Sequence, residues 1–183
     1  SEKFYQANEW YEKGNEYRIN REHYKAIEAY SKAIDLNPNN VYAYNNRGIV
    51  YGNEGQPEKA IEDYNKAILI DPNYAKPYYQ RGNAYLKEGQ YDRALEYFSK
   101  AIALDSNYAM AYAARGTIFV NTKDYYRAIE DFNRTFAMDP KMWWAYQNRG
   151  LAYLKIDQYD MAIKDFNTAI SEDPNHETIS VVY

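Results

Sequence analysis

Cysteine is absent from the 183 residues, so neither a disulfide framework nor a thiolate metal site is available. A cysteine-free chain fits any redox compartment, and localisation is left open. Histidine occurs twice, as His23 and His176, far apart and both at apparent helix boundaries, which gives no metal or acid–base constellation. No apolar run approaches the roughly 18–20 residues that a membrane span needs. No signal-like segment precedes Phe4, so the chain is expected to be soluble as given. It begins at Ser1 without an initiator methionine, which fits an excised domain or a processed form. Glycine-rich phosphate loops and nucleophile motifs are missing, and the carboxylates are expected on solvated faces. A formal charge of −4 and a pI near 5.3 give no overall attraction to phosphate backbones or anionic lipid. The expectation is a non-enzyme with no cofactor, no metal, no nucleic acid partner and no membrane insertion.

What the sequence does have is tyrosine, 23 of them, in a strict repeat. Rows of 34 residues counted from Ala7 place Gly14, Gly48, Gly82, Gly116 and Gly150 in one column. A second column holds Ala26, Ala60, Ala94, Ala128 and Ala162, and four residues later an aromatic follows in every row: Tyr30, Tyr64, Phe98, Phe132 and Phe166. The rows end on Pro38, Pro72, Ser106, Pro140 and Pro174, with Ser106 the one departure. A fixed period of this length is the signature of a repeat architecture. The units expected are 1–6 as a helical extension, repeats at 7–40, 41–74, 75–108, 109–142 and 143–176, and a tail at 177–183.

Each row reads as two helices. Tyr78, Gly82 and Tyr85 are spaced four and then three apart, and Tyr91, Ala94, Leu95, Phe98, Ala101 and Ile102 follow at helical intervals. Glu88-Gly89-Gln90 separates the two helices, and Asp-Pro-Asn at 71–73 stops the second, since proline lacks an N–H and disfavours helix at the residue before it. Pro57 and Pro77 fall in first turns, where no donor is lost. Glycine in one helix and alanine in the other let two axes approach, and the aromatics fill the space around them. That role in the core accounts for most of the tyrosine.

The pattern Trp10-x-x-Lys13-Gly14-x-x-Tyr17, Ala26-x-x-x-Tyr30 and Pro38 closely resembles the tetratricopeptide repeat family, and the resemblance runs through five consecutive rows. Lysine or arginine stands where leucine is typical (Lys13, Arg47, Arg81, Arg115, Arg149), and Thr135 stands for alanine. The resemblance implies an all-α right-handed solenoid of helical hairpins whose first helices line a concave groove, and a function in protein interaction.

Three of the arginines meet an aspartate sixteen residues on, pairing Arg47 with Asp63, Arg115 with Asp131 and Arg149 with Asp165. Ion pairs within the repeat are expected there. Tyr97 takes the acid's place in the row of Arg81, which singles out Arg81 as the arginine to be free.

If the first helices line the groove, its amino-terminal part offers Asn8, Tyr11, Asn15, Tyr42, Asn45, Asn46, Lys76, Tyr79 and Asn83, a carboxamide-rich surface suited to a peptide backbone. The carboxy-terminal part offers Met110, Ala113, Thr117, Val120, Trp144, Leu151 and Leu154, apolar anchors for a partner's side chains. A protein or peptide partner is the expected ligand; a neighbouring copy or the chain's own tail is the other occupant of the apolar part. In the family's carboxylate-clamp co-chaperones, Asn15, Asn46 and Lys76 match three clamp positions, but Tyr11 and Gln80 replace two of its cations. The family's glycosyltransferases use an asparagine ladder, so a substrate-recruiting arm of a larger enzyme is an alternative; Glu12 and Ala114 interrupt that ladder here. The tail, with Ile179, Val181 and Val182, reads as extended, so Ile163 and Ile170 are expected to face solvent and to favour self-association.

Overall fold

The computed structural model describes residues 2–173, which form ten α-helices and, among the described residues, no strand. They are α1 (Glu2–Ile19), α2 (His23–Leu36), α3 (Val41–Asn53), α4 (Pro57–Ile70), α5 (Ala75–Lys87), α6 (Tyr91–Leu104), α7 (Ala109–Asn121), α8 (Tyr125–Met138), α9 (Trp143–Lys155) and α10 (Tyr159–Glu172). The chain divides into two compact units, Ser1–Lys100 and Ala101–Tyr183, with the division inside α6. In the first unit α1 packs on α2 and α3 on α4, while α2 meets α3 and α4 meets α5. The second unit repeats the scheme with α7 on α8, α8 on α9 and α9 on α10.

The turn inside each hairpin is built the same way. Arg21, Gly55, Gly89, Lys123 and Asp157 all adopt left-handed backbone, with φ between 60° and 71°. The next N–H then reaches back to the last turn of the first helix, as in Gln90 N–H to Tyr85 O at 2.9 Å and Asp124 N–H to Phe119 O at 2.8 Å. This closure satisfies carbonyls that the helix end would otherwise orphan. Glycine takes that φ freely, whereas a Cβ there costs roughly 1–2 kcal/mol, less the backbone entropy that glycine loses on folding. Replacing the exposed Lys123 by glycine is therefore expected to stabilise the chain by about 0.5–1 kcal/mol, read as a higher urea midpoint. An unchanged or lower midpoint would show that the turn is not strained.

Second helices end on a side-chain turn. Asp71 Oδ1 accepts from Asn73 N–H at 3.0 Å, Asp105 Oδ1 from Asn107 N–H at 3.0 Å, and Asp139 Oδ1 from Lys141 N–H at 3.1 Å. Because the acid makes this turn, Ser106 replaces proline in the third row without loss of the stop.

The core of each hairpin is the contact between the glycine column and the aromatic column. A Cβ placed on Gly82 would lie 2.6 Å from the Phe98 ring, and one on Gly14 would lie 2.5 Å from the Tyr30 ring. Tyr30, Phe98 and Phe132 are fully buried on these glycines, with Ala26, Ala94 and Ala128 beside them.

The three expected ion pairs form as two-pronged forks. Arg47 Nε and Nη2 donate to Asp63 at 2.8 Å each, Arg115 donates to Asp131 at 2.7 and 2.8 Å, and Arg149 donates to Asp165 at 2.7 Å twice. The forks also reach outside their own repeat. Arg47 Nη1 donates to Ser31 Oγ at 2.9 Å, and Arg149 Nη1 donates to Asn133 Oδ1 at 2.6 Å, each on the second helix of the preceding hairpin. One guanidinium thus fixes three helices. The first hairpin has no predecessor, and there Lys13 stands for arginine and Ala29 for aspartate; Lys13 pairs instead with Glu9 at 3.0 Å and lies over Trp10. Arg81 is not free: its guanidinium stacks 4.3 Å from the Tyr97 ring and donates to Tyr85 Oη at 3.1 Å.

Candidate functional site

The surfaces open to a ligand are those first-helix positions that neither the hairpin partner nor the next hairpin covers. In the first unit these include Asn8, Tyr42 and Lys76, which recur in one column of α1, α3 and α5 and are all exposed. Tyr42 is 54% exposed and sets its ring edge-on to Tyr74 at 5.3 Å.

The carboxamides behind that column are largely engaged with one another. Asn15 Oδ1 accepts from Tyr30 Oη at 2.8 Å and from Asn46 Nδ2 at 3.1 Å, and Asn46 Nδ2 also donates to Tyr11 Oη at 3.3 Å. Asn46 Oδ1 accepts from Asn45 Nδ2 at 3.2 Å. A peptide backbone gripping Asn15 or Asn46 must exchange these bonds, as must any carboxylate offered to the clamp positions.

Several positions expected in the groove are packed away. Asn45 is 1% exposed and Ala113 is fully buried, because their column turns toward the neighbouring hairpin; in the first hairpin that column is Tyr11, which meets Asn46 of the next. Tyr79 is 9% exposed, with its ring 5.6 Å from Phe98 and its hydroxyl bonded to Asn83. Burial raises the Tyr79 phenol above its ordinary range. Asn83 is half-buried beside it.

In the second unit Met110, Leu151 and Leu154 are 41%, 37% and 39% exposed on α7 and α9, two helices in direct contact. Thr117, half-buried and the α7 equivalent of Leu151, spends its hydroxyl on Ala113 O at 2.9 Å. Trp144 is half-buried rather than open, and its carbonyl accepts from Asn148 Nδ2 at 3.0 Å. Ile163 and Ile170 on α10 are exposed, whereas their equivalents Ile129 and Phe136 are half-buried, Phe136 stacking on Tyr146 at 3.7 Å. The tail at 177–183 lies outside the described residues.

The first unit also holds a cleft of about 630 Å³ between α3, α4 and α5, lined by Ile49, Gly52 and Tyr64 among others, which the sequence motifs did not announce. A signal for it does stand in the sequence, because Gly52 shares a column with Arg18, Leu86, Val120 and Leu154, and is the one member without a side chain. No group of three or more metal-ligating side chains occurs among the described residues, and His23 faces Glu54 across the first two hairpins.

The tetratricopeptide repeat family model matches residues 41–74, 75–108 and 143–176, a second tetratricopeptide repeat model matches 109–142, and a TPR repeat model matches 14–55. Among solved structures, MamA is 30% identical with a TM-score of 0.73, the alignment covering 96% of this chain and 98% of that one. YrrB, described as a TPR protein with an unusual peptide-binding site, is 24% identical with a TM-score of 0.68 over 91% of this chain and 86% of that chain. PilF of Pseudomonas aeruginosa is 18% identical, yet reaches a TM-score of 0.86 over 94% of this chain and 78% of that chain. No curated protein sequence matches.

Proposed function

The chain belongs to the tetratricopeptide repeat family, and from that premise we propose that it is a non-catalytic interaction scaffold holding a peptide or helix of a protein partner on the open faces of its first helices. The observation that carries this reading is the exposure of Met110, Leu151 and Leu154 on two adjoining first helices. Apolar side chains left open on adjoining helices are anchors for a partner's side chains, with the polar residues around them excluding water once it docks. YrrB, a TPR protein described as having a peptide-binding site, supports the same use of the fold.

Selection from a random peptide library tests it, with the wild type set against a Met110→Ala, Leu151→Ala variant. Both residues are exposed, so the variant should keep its thermal midpoint within a few degrees. Enriched peptides are expected to carry bulky apolar residues and to bind the variant at least tenfold more weakly, the loss typical of a central anchor. Peptides that bind both proteins equally would move the site elsewhere. No enrichment, together with a dimeric mass in light scattering, would reassign the apolar face to self-association, for which the exposed Ile163 and Ile170 offer a surface.

A further inference from the structure

The second hairpin has a cleft beside the two positions at which the first carries the side chains of Asn15 and Arg18. In the first, Tyr30 is fully buried and its hydroxyl donates to Asn15 Oδ1 at 2.8 Å; the Arg18 guanidinium lies close enough to act on the phenol electrostatically, with its Nε buried and without a hydrogen-bond partner. In the third, fourth and fifth rows the aromatic is phenylalanine, and the residue at the Arg18 position is Leu86, Val120 or Leu154. Hydroxyl goes with a polar neighbour, and bare ring with an apolar one. Tyr64 breaks the rule: it has a hydroxyl, but Ile49 stands in the Asn15 position and Gly52 in the Arg18 position. Neither side chain can bond it.

Tyr64 is 4% exposed, and its hydroxyl lies 3.9 Å from the point where a Cβ on Gly52 would sit. Among the described residues that hydroxyl has no hydrogen-bond partner. Tyr64 lines the cleft of about 630 Å³, together with the apolar Ile49 and Leu86 and the amide-bearing Gln80 and Asn83. That volume falls in the range of pockets that accept small ligands or large side chains. Lys87 and Glu88 are the charged residues of its lining, which therefore carries no net charge.

We propose that this cleft is a pocket for an arginine side chain of a bound peptide, a reading that rests on the peptide-binding function proposed above and names one residue of the partner. The guest arginine takes the place in the second hairpin that the Arg18 side chain has in the first. Its aliphatic stem lies along Ile49 and Leu86, and its guanidinium donates to the Tyr64 oxygen and to the carboxamide oxygens of Gln80 and Asn83. A planar group with five donors and a long apolar stem suits a pocket with greasy walls and several neutral acceptors.

The test is a titration with N-acetyl-arginine methylamide followed by amide NMR, with the norleucine analogue as the apolar control. Wild type is expected to show saturable shifts at Gly52 and its neighbours. Affinity should drop at least tenfold in Tyr64→Phe, and the shifts should vanish in Gly52→Arg, which supplies the chain's own arginine. Space exists for that residue, since nothing lies closer than 3.9 Å to a Cβ at Gly52, and the milder Tyr64→Phe serves if it fails to fold. Equal binding of the norleucine analogue, or undiminished arginine binding by Gly52→Arg, would overturn the proposal. Peptide selection on the same proteins separates the two claims. Arginine-bearing peptides lost in Gly52→Arg support both, and enriched peptides without arginine, indifferent to Gly52→Arg, overturn the pocket while the peptide-binding function stands. A saturating arginine probe with no enriched peptide keeps the pocket's side-chain preference and removes the peptide as its source.

Discussion

Asp63→Ala is expected to destabilise the chain by about 3 kcal/mol, while the double change Arg47→Met, Asp63→Leu should stay within about 1 kcal/mol of the parent. The single change strands a guanidinium whose side chain is 17% exposed, opposite a site where the acid's side chain was 6% exposed. The double change removes both charges and fills the same space with apolar atoms. Ser31, which loses the Arg47 bond, keeps its own bond to Ile27 O at 2.7 Å, so no new orphan arises there. Urea unfolding of the parent, Arg47→Met, Asp63→Leu and the double closes the cycle, with Asp63→Ala measured beside it as the truncation of the acid. A double variant as unstable as the singles would mean that the fork itself, and not the penalty of a stranded charge, holds the hairpins.

The pH dependence of that cycle has a definite sign. Burial pushes the Asp63 carboxyl above the ordinary carboxylate range, and the Arg47 fork offsets it only in part. A carboxyl with a raised native pKa binds its proton more tightly when folded. Its contribution is then present below the unfolded pKa and is lost as pH rises through the native one. The stability of the double variant relative to the parent should therefore increase from acid toward neutral pH. The forks are best understood as orienting devices, with Arg47 and Arg149 each tying two hairpins into one register.

The second large effect separates two glycines that look identical in sequence. Gly82→Ala is expected to cost about 2 kcal/mol, because the new methyl meets Phe98 ring atoms at 2.6 Å and Phe98 is fully buried with no room to turn. Gly116→Ala should fall within about 1 kcal/mol of the parent, since its nearest ring atom on Phe132 lies at 3.1 Å and the helix gains about 1 kcal/mol when glycine becomes alanine. Thermal unfolding of the two variants decides it. Equal losses would mean that the helices cannot shift by the few tenths of an ångström that Gly116 requires.

Much of this was legible from spacing. A glycine and an aromatic sixteen residues apart, with a hairpin turn between them, must face each other if the two helices pack, and the same interval joins Arg47, Arg115 and Arg149 to their aspartates. The left-handed turn position could be read only where it is Gly55 or Gly89, since Arg21, Lys123 and Asp157 give no local sign of φ > 0. The groove was read less well. Tyr11, Asn45, Tyr79 and Ala113 share a helical column, and of these the structure buries Asn45, Tyr79 and Ala113.

The sequence by itself determined the period, the hairpin and the contacts inside each repeat, because those depend on intervals along one short stretch of chain and on helix geometry that hardly varies. Tertiary structure alone decided which first-helix side chains stay open, that Arg81 stacks on Tyr97 and bonds Tyr85, and that a cleft opens beside Tyr64. Those outcomes turn on what neighbouring elements place against a residue, and burial is a property of that surrounding volume rather than of any spacing within the repeat.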